Sequence, residues 1–395
     1  MGGDNYTRRG SRHTGVMPAA ASRADVVRLR LQAQGLAGVT LPGAVAVAER
    51  MLAVQAQDYP AGQWALGVRS PGTTLDDVQA VISAGEIVRS WPMRGTLHFV
   101  PARELGWMQG LTTPRLLAKT RTINERSGLD TVVLERAREA AINALTGHKQ
   151  LSRAEFMEML RAAGLSTEGQ RGYHTIAHLA LTGTLCWGRQ VGTQQGLVLL
   201  DEWVPNPRRL EHDEALGELV YRYFLGHGPA TLVDFAWWSQ LTVADSKTGL
   251  AVARNRLTEV QVDGAAYFMA AETADAAPQH TPVLALPGFD EYLLGYRDRS
   301  HVISTDELVR VVPGLNGIFL PLVVTNGRVV GTWRKKIVAS GLTTEAALFE
   351  DAATAAARTR AAKTQRSFGL AVQGYARFLG VPIRQTVKAD APASA

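Results

Sequence analysis

A single cysteine, Cys186, stands in a chain of 395 residues, so no disulfide can close within it and no cysteine-built zinc site can be assembled. Such thiol poverty suits the cytosol, with the nucleoid as the expected place of work. No apolar run approaches the ~18 residues that a membrane span needs, and no membrane partner is expected. The phosphate-cradling pattern Gly-x-x-x-x-Gly-Lys-Ser/Thr is missing, and so is His-Glu-x-x-His. His174 and His178 lie four apart on a predicted helix, a spacing that can hold a metal, but no third ligand accompanies them. No metal or cofactor is therefore expected. The first residues, 1–24, carry Arg8, Arg9, Arg12 and Arg23 but no apolar stretch. They read as a disordered basic arm and not as a secretory signal, with Met17 an equally good start. Residues 389–395 read as a disordered tail.

What is present is an ordinary globular balance, 46% hydrophobic and 20% charged, with a net charge of +6. The basic surplus suits a polyanionic partner but does not by itself identify one. Between the ends one pattern recurs three times in outline: helices, a turn, a further helix, then a β-rich stretch. In the first copy Ala44 to Gln57 has helical apolar spacing, and Thr74 caps a helix with Asp76 and Asp77 in its first turn. Arg94 to Val100 then alternates as a strand. In the second, Ser152-Arg153-Ala154-Glu155 is a capping box, Gly172 to Leu181 is a helix, and two strands follow to Leu200. In the third, helices over 215–224, 231–238 and 242–255 precede a hairpin turning at Asp263-Gly264. Residues 282–338 read as strands, Gly317 to Leu320 among them, with a hairpin at Asn326-Gly327. The stretch from Thr344 to Leu379 reads as helix.

Helix, turn, helix and β wing, repeated with a basic surplus, is a winged-helix pattern. The fold class is thus α+β, predominantly helical: three tandem winged-helix domains with a small β element. The divisions fall at 25–148, 149–210 and 211–275 for the three winged-helix units, 276–340 for a β-rich hairpin region and 341–388 for a C-terminal helical segment. Pattern alone leaves open whether such units bind DNA as a transcription regulator, mediate protein contacts, or carry an enzyme.

Four longer segments go further: Val54-Gln55-Ala56-Gln57-Asp58, the run from Arg89 to His98 (RSWPMRGTLH), the run from Leu286 to Arg299 (LPGFDEYLLGYRDR), and Gly331-Thr332-Trp333-Arg334. Together, and in this order, they resemble the AlkZ/YcaQ family of winged-helix DNA glycosylases, over roughly Val26 to Leu379. The resemblance implies a C-shaped monomer with a basic concave face for duplex DNA. It also implies excision of N7- or N3-alkylated purines, including unhooking of interstrand crosslinks, as general repair or as self-resistance. The family's catalytic signature is Gln-X-Gln in one branch and Gln-X-Asp in the other. Gln55-Ala56-Gln57 matches the first, and Asp58 comes one position too late for the second.

Two amides are chemically sufficient for that substrate class. Alkylation at N7 makes the base cationic, so it leaves as a neutral species without a general acid. What remains is to hold a water beneath C1′, which an amide oxygen can do by accepting its hydrogen bond. Residues two apart point away from each other on a regular helix, so the reading requires the helix to end here, as Pro60 after Asp58-Tyr59 suggests. Arg94, Thr96 and His98 share one strand face as candidates for DNA contact. Arg297, Arg299 and His301 form a second basic cluster, and Arg334, Lys335 and Lys336, which follow the Asn326-Gly327 hairpin, a third; a basic hairpin there can enter the minor groove or bracket the lesion. Asp290-Glu291 reads as a solvated or arginine-paired couple on an exposed loop, and Trp187, Trp237 and Trp238 read as core.

Overall fold

The computed structural model describes residues 20–192, 194–273, 282–350 and 354–388. The arm up to 19 and the tail from 389 lie outside them. The chain opens with α1 (Arg23–Ala33), α2 (Gly43–Met51), β1 (Val54–Gln55), α3 (Tyr59–Gly67), α4 (Leu75–Ser83), β2 (Ile87–Met93) and β3 (Thr96–Pro101). The long α5 (Leu105–Arg126) and α6 (Thr131–Leu145) lead to α7 (Arg153–Ala162), α8 (Arg171–Leu181), β4 (Leu185–Val191), β5 (Gln194–Leu199) and the short α9 (Leu200–Trp203). Next come α10 (His212–His227), α11 (Leu232–Ser239), α12 (Val243–Ala253), β6 (Leu257–Val262) and β7 (Ala265–Ala270). The last part holds β8 (Leu284–Leu286), α13 (Glu291–Leu294), α14 (Thr305–Val311), β9 (Leu322–Thr325), β10 (Arg328–Val338), β11 (Gly341–Leu348), α15 (Ala355–Leu379) and β12 (Ile383–Lys388).

Helix starts are strongly written locally. Ser22, Thr74, Ser152, Thr231, Thr242 and Ser304 each form a reciprocal capping box with an acid three residues on. The turns at Asp263-Gly264 and Asn326-Gly327 have positive φ at both residues, as a tight two-residue hairpin needs. The hairpins of the first two units are joined edge to edge: the sheet order is β1-β3-β2-β4-β5, with Arg89 opposite Trp187. A second sheet runs β12-β11-β10-β9-β8, in which β12 lies parallel to β11. Among the described residues no helix is long and apolar enough to cross a membrane.

Three local expectations are corrected. Gly341–Leu348 is a strand and not the start of the C-terminal helix, which begins only at Ala355. Leu342, Thr344 and Ala346 alternate inward against β10, and that pairing overrides alanine's helical preference. Residues 317–320 form no strand: the Asn316 side chain accepts from the Ile318 N–H at 2.9 Å, which turns the backbone. The helix expected to run to Gln57 stops at Met51, because Leu52 adopts φ 61°. The backbone then extends beside β3, with Gln55 opposite His98. Pro60 is thus not a terminator; it sits in the first turn of α3, where proline's missing N–H costs nothing.

Candidate active site

The change from helix end to strand alters how the two glutamines present themselves. Gln55 is held in strand pairing, whereas Gln57 lies in the bend just after the strand. The extension continues through Ala56, whose N–H donates to the Leu97 carbonyl at 2.8 Å. Gln57 then substitutes for the next rung of the ladder with its side chain: its Oε1 accepts from the Leu97 N–H at 3.1 Å. Gln55 Oε1 accepts from Arg94 Nη2 at 3.2 Å. Both amides are therefore oriented by donors on the β2–β3 hairpin, and each oxygen keeps a second lone pair. Gln55 is nearly buried at 9% exposure, while Gln57 is open to solvent.

Behind Gln55 lies a buried polar cluster centred on Arg94. Arg94 and Gly95 form the hairpin turn, with φ 58° and 71°. Arg94 Nη2 stands 3.2 Å from Gln55 Oε1, 2.8 Å from His98 Nε2 and 3.2 Å from Glu291 Oε1. His98 Nδ1 faces the Thr96 carbonyl at 2.9 Å, so the proton sits on Nδ1 and Nε2 accepts from Arg94. Burial, aided by the Arg94 charge, lowers the His98 pKa to about 3, and the ring is neutral. The other oxygen of Glu291 accepts from Trp238 Nε1 at 2.9 Å and lies 3.4 Å from His227 Nε2. Burial alone would raise the Glu291 carboxyl, but Arg94 and His227 outweigh it and hold it far below the usual carboxylate range.

Glu291 reaches this place through a second buried pair. Asp290 and Arg69 are both fully buried and meet in two-pronged fashion at 2.9 and 2.7 Å. Asp290 also caps α13 through the Tyr292 N–H at 2.8 Å. The Asp290-Glu291 couple is thus not on an exposed loop; its arginines come from elsewhere in the chain, which local sequence does not reveal. Arg69 follows the end of α3, and Asp58 begins that helix by accepting from the Ala61 N–H at 3.1 Å. One helix therefore links the exit of the glutamine strand to the anchor of Glu291, and the Asp58 carboxylate is engaged as its cap.

Arg89 completes the support, and sequence reasoning gave it no role of its own. Its Nε donates to the Ala56 carbonyl at 2.8 Å and its Nη2 to the Gln57 carbonyl at 3.2 Å. The guanidinium lies 5.3 Å from the Tyr59 ring and 5.7 Å from Trp187. Burial lowers its pKa to about 10, which leaves it charged at neutral pH. Gly62 lets α3 approach the same strand: a Cβ there would meet the Ala56 Cβ at 2.8 Å and its Cα at 3.0 Å. His227 and Trp238 were also not foreseen as site residues, since their partner Glu291 is distant in sequence.

The remaining candidates divide. Thr96 is half-buried, and its hydroxyl has no hydrogen-bond partner among the described residues. Arg299 is held by the Leu293 carbonyl at 2.8 Å and lies 5.1 Å from the Trp237 ring, which also faces Arg94 at 6.0 Å. Trp238 is core, whereas Trp237 is only half-buried. Trp187 is likewise half-buried, edge-on to Trp91 at 4.9 Å. Arg297 is exposed, while His301 is buried against the Tyr267 hydroxyl at 2.9 Å. His98 too is buried, so neither histidine presents its ring to the surface. Arg334, Lys335 and Lys336 lie on β10 near the tip of its hairpin with β11. Lys335 reaches the Tyr375 hydroxyl and lies close enough to Asp58 to feel its charge, which brings this hairpin near the glutamine strand. Among the described residues no group of three His, Cys, Asp or Glu side chains could hold a metal ion, and His174 and His178 have no companion.

The arrangement brings together two amides whose oxygens are each engaged by a donor on the β2–β3 hairpin. Comparison with known proteins gives the class. A sequence model described as "DNA glycosylase AlkZ-like" matches residues 48–378. The interstrand DNA cross-link repair glycosylase of Streptomyces sahachiroi is 30% identical over 341 residues, covering 79% of this chain and 88% of that protein. The solved structure of the Streptomyces sahachiroi DNA glycosylase AlkZ superposes with a TM-score of 0.74 at 25% identity, over 93% of this chain and all of that one. The protein is a DNA glycosylase. Within that class, it belongs to the AlkZ-like family.

Proposed function

We propose that the protein hydrolyses the N-glycosidic bond of N7- or N3-alkylated, cationic purines in duplex DNA, with Gln55 and Gln57 as the catalytic residues. The alkylated base departs from C1′ with the bonding electron pair and becomes neutral, leaving positive charge on the sugar. Water held at the free lone pairs of the two amide oxygens adds to C1′ and releases its proton to solvent. A neutral amide neither protonates the base nor repels the developing cation. The supporting observation is that the side-chain oxygens of Gln55 and Gln57 each accept from a donor on the same hairpin, Arg94 Nη2 and the Leu97 N–H. The crosslink activity named for the Streptomyces relative extends this substrate class to interstrand crosslinks, in which a tethered purine leaves by the same bond cleavage.

The three helix-and-hairpin units are read as tandem winged-helix domains arranged in a C around the duplex, acting as a monomer. Arg94 and Thr96 lie beside the lesion. Arg297, Arg299, Arg334, Lys335 and Lys336 serve the phosphates, and the β10–β11 hairpin, with Ile337 and Val338 exposed, enters the minor groove. His98 and His301 act from inside the fold, by supporting neighbours. The test is release of 7-methylguanine from an oligonucleotide duplex, scored as alkali-labile abasic sites. Gln55→Ala and Gln57→Ala should each lower the single-turnover rate on the order of a hundredfold, with binding to undamaged duplex unchanged. Undiminished release removes the glutamines from the mechanism. No release of 7-methylguanine at all refutes N7-alkylated purines as its substrate.

A further inference from the structure

Arg94 presents a difficulty for the chemistry just described. Its Nη2 carries two hydrogens and faces three acceptors, one of them Gln55 Oε1. It therefore brings a full positive charge into direct contact with a catalytic amide, at a place where the substrate is cationic and the transition state puts further positive charge on the sugar. In a buried site that repulsion is poorly screened. The other groups around Arg94 do not relieve it. His98 is neutral, Trp237 offers only a ring face at 6.0 Å, and Arg299 adds a second cation over the same ring. The compensating charge is Glu291, at 3.2 Å and itself fully buried.

We propose, resting on the assignment of Gln55 and Gln57, that Glu291 is a positioning residue that cancels the charge of Arg94, so that Arg94 can orient the Gln55 amide without repelling the cationic sugar and base.

The construction around Glu291 fits that task. One oxygen faces Arg94, and the other is held by Trp238 Nε1 at 2.9 Å with His227 at 3.4 Å, so the carboxylate cannot swing away. His227 is fixed in turn, its ring stacked on Tyr223 with centroids 4.8 Å apart. The adjoining Asp290 is locked to Arg69.

The experiment compares binding of two duplexes by the full-length protein. One carries a pyrrolidine abasic analogue, which is cationic at the sugar position, and the other its neutral tetrahydrofuran counterpart. Wild type is expected to prefer the cationic analogue. Glu291→Gln should lose about tenfold of that preference, the scale of one uncompensated unit charge acting through an effective dielectric of about 20. Its affinity for the tetrahydrofuran duplex should stay within about twofold, and Glu291→Asp should recover part of the preference. Retained preference in Glu291→Gln, or equal loss on both duplexes, overturns the proposal. If Glu291→Gln does not fold, Arg94→Met combined with Glu291→Gln removes both charges. That double variant should prefer the cationic analogue as wild type does while releasing 7-methylguanine more slowly, and loss of its preference refutes charge cancellation. Gln57→Ala separates the two readings. If it releases base at the wild-type rate, the glutamine assignment falls; if it does not, while Glu291→Gln keeps both rate and preference, only the role of Glu291 falls.

Discussion

Replacing Asp290 by Asn tests whether the buried pair behind the site holds it together. Asp290 and Arg69 are both at 0% side-chain exposure, with nitrogen–oxygen distances of 2.9 and 2.7 Å. Asn keeps the size and the carbonyl oxygen that caps Tyr292, so shape changes little. What changes is that Arg69 is left as a buried cation whose other partners are the Ala65 carbonyl at 2.9 Å and Gln34 Oε1 at 2.8 Å. Removing one member of such a pair costs about 3–5 kcal/mol, mostly because the remaining charge has lost its compensation. Urea unfolding followed by tryptophan fluorescence should show that loss in the first transition, since Trp64 and Trp238 lie close by. Arg69→Met should cost a similar amount. The double variant should cost less than the sum by about 1–3 kcal/mol, because no unpaired charge remains. Base release should fall in Asp290→Asn even where the variant is fully folded, since Glu291 is the next residue. A cost under about 1 kcal/mol, or strict additivity in the double variant, would refute the reasoning.

Acid stability follows from His98. Its folded pKa of about 3 lies below the ordinary value of 6.5, so between those limits the unfolded chain takes up a proton that the folded chain refuses. Stability therefore falls as pH drops through this window, by about 2 kcal/mol at pH 5 relative to pH 7.5, and His98→Gln should lose that share of the dependence. Parallel pH curves for the two proteins would contradict it. Gly62→Ala forces α3 away from the Ala56 backbone and should cost about 1–3 kcal/mol in a melting experiment, with base release slowed at temperatures where the variant is folded. Arg334→Ala with Lys336→Ala should reduce the slope of log affinity against log salt by about 2, since each contact with a phosphate contributes about 1. An unchanged slope would place the β10–β11 hairpin off the DNA.

Much of the local architecture was legible because it is written over a few residues. A Ser or Thr three positions before an acid starts a helix at Thr74, Ser152 and Thr242. Asp263-Gly264 and Asn326-Gly327 turn hairpins for the same reason: few residue pairs tolerate positive φ twice. The Gln55-Ala56-Gln57 motif was also visible, but its geometry was misjudged. The apolar spacing from Ala44 carries a helical rhythm onward, and nothing local shows that Leu52 breaks it to let the chain pair with β3. The C-terminal error has the same origin, since alanine-rich sequence reads as helix until a partner strand is known.

The amino-acid order alone thus specified where the capped helices begin, where two hairpins turn and which family motifs are present, Gln55-Ala56-Gln57 among them. Folding in three dimensions decided everything that depends on charge meeting charge across the chain. Arg94 finds Glu291, Arg69 finds Asp290, and Arg89 holds the carbonyls of Ala56 and Gln57. Such pairings are invisible in sequence because a buried ion's partner is selected by distance in space. The requirement that no charge be left alone away from water is enforced only once the core has closed around it.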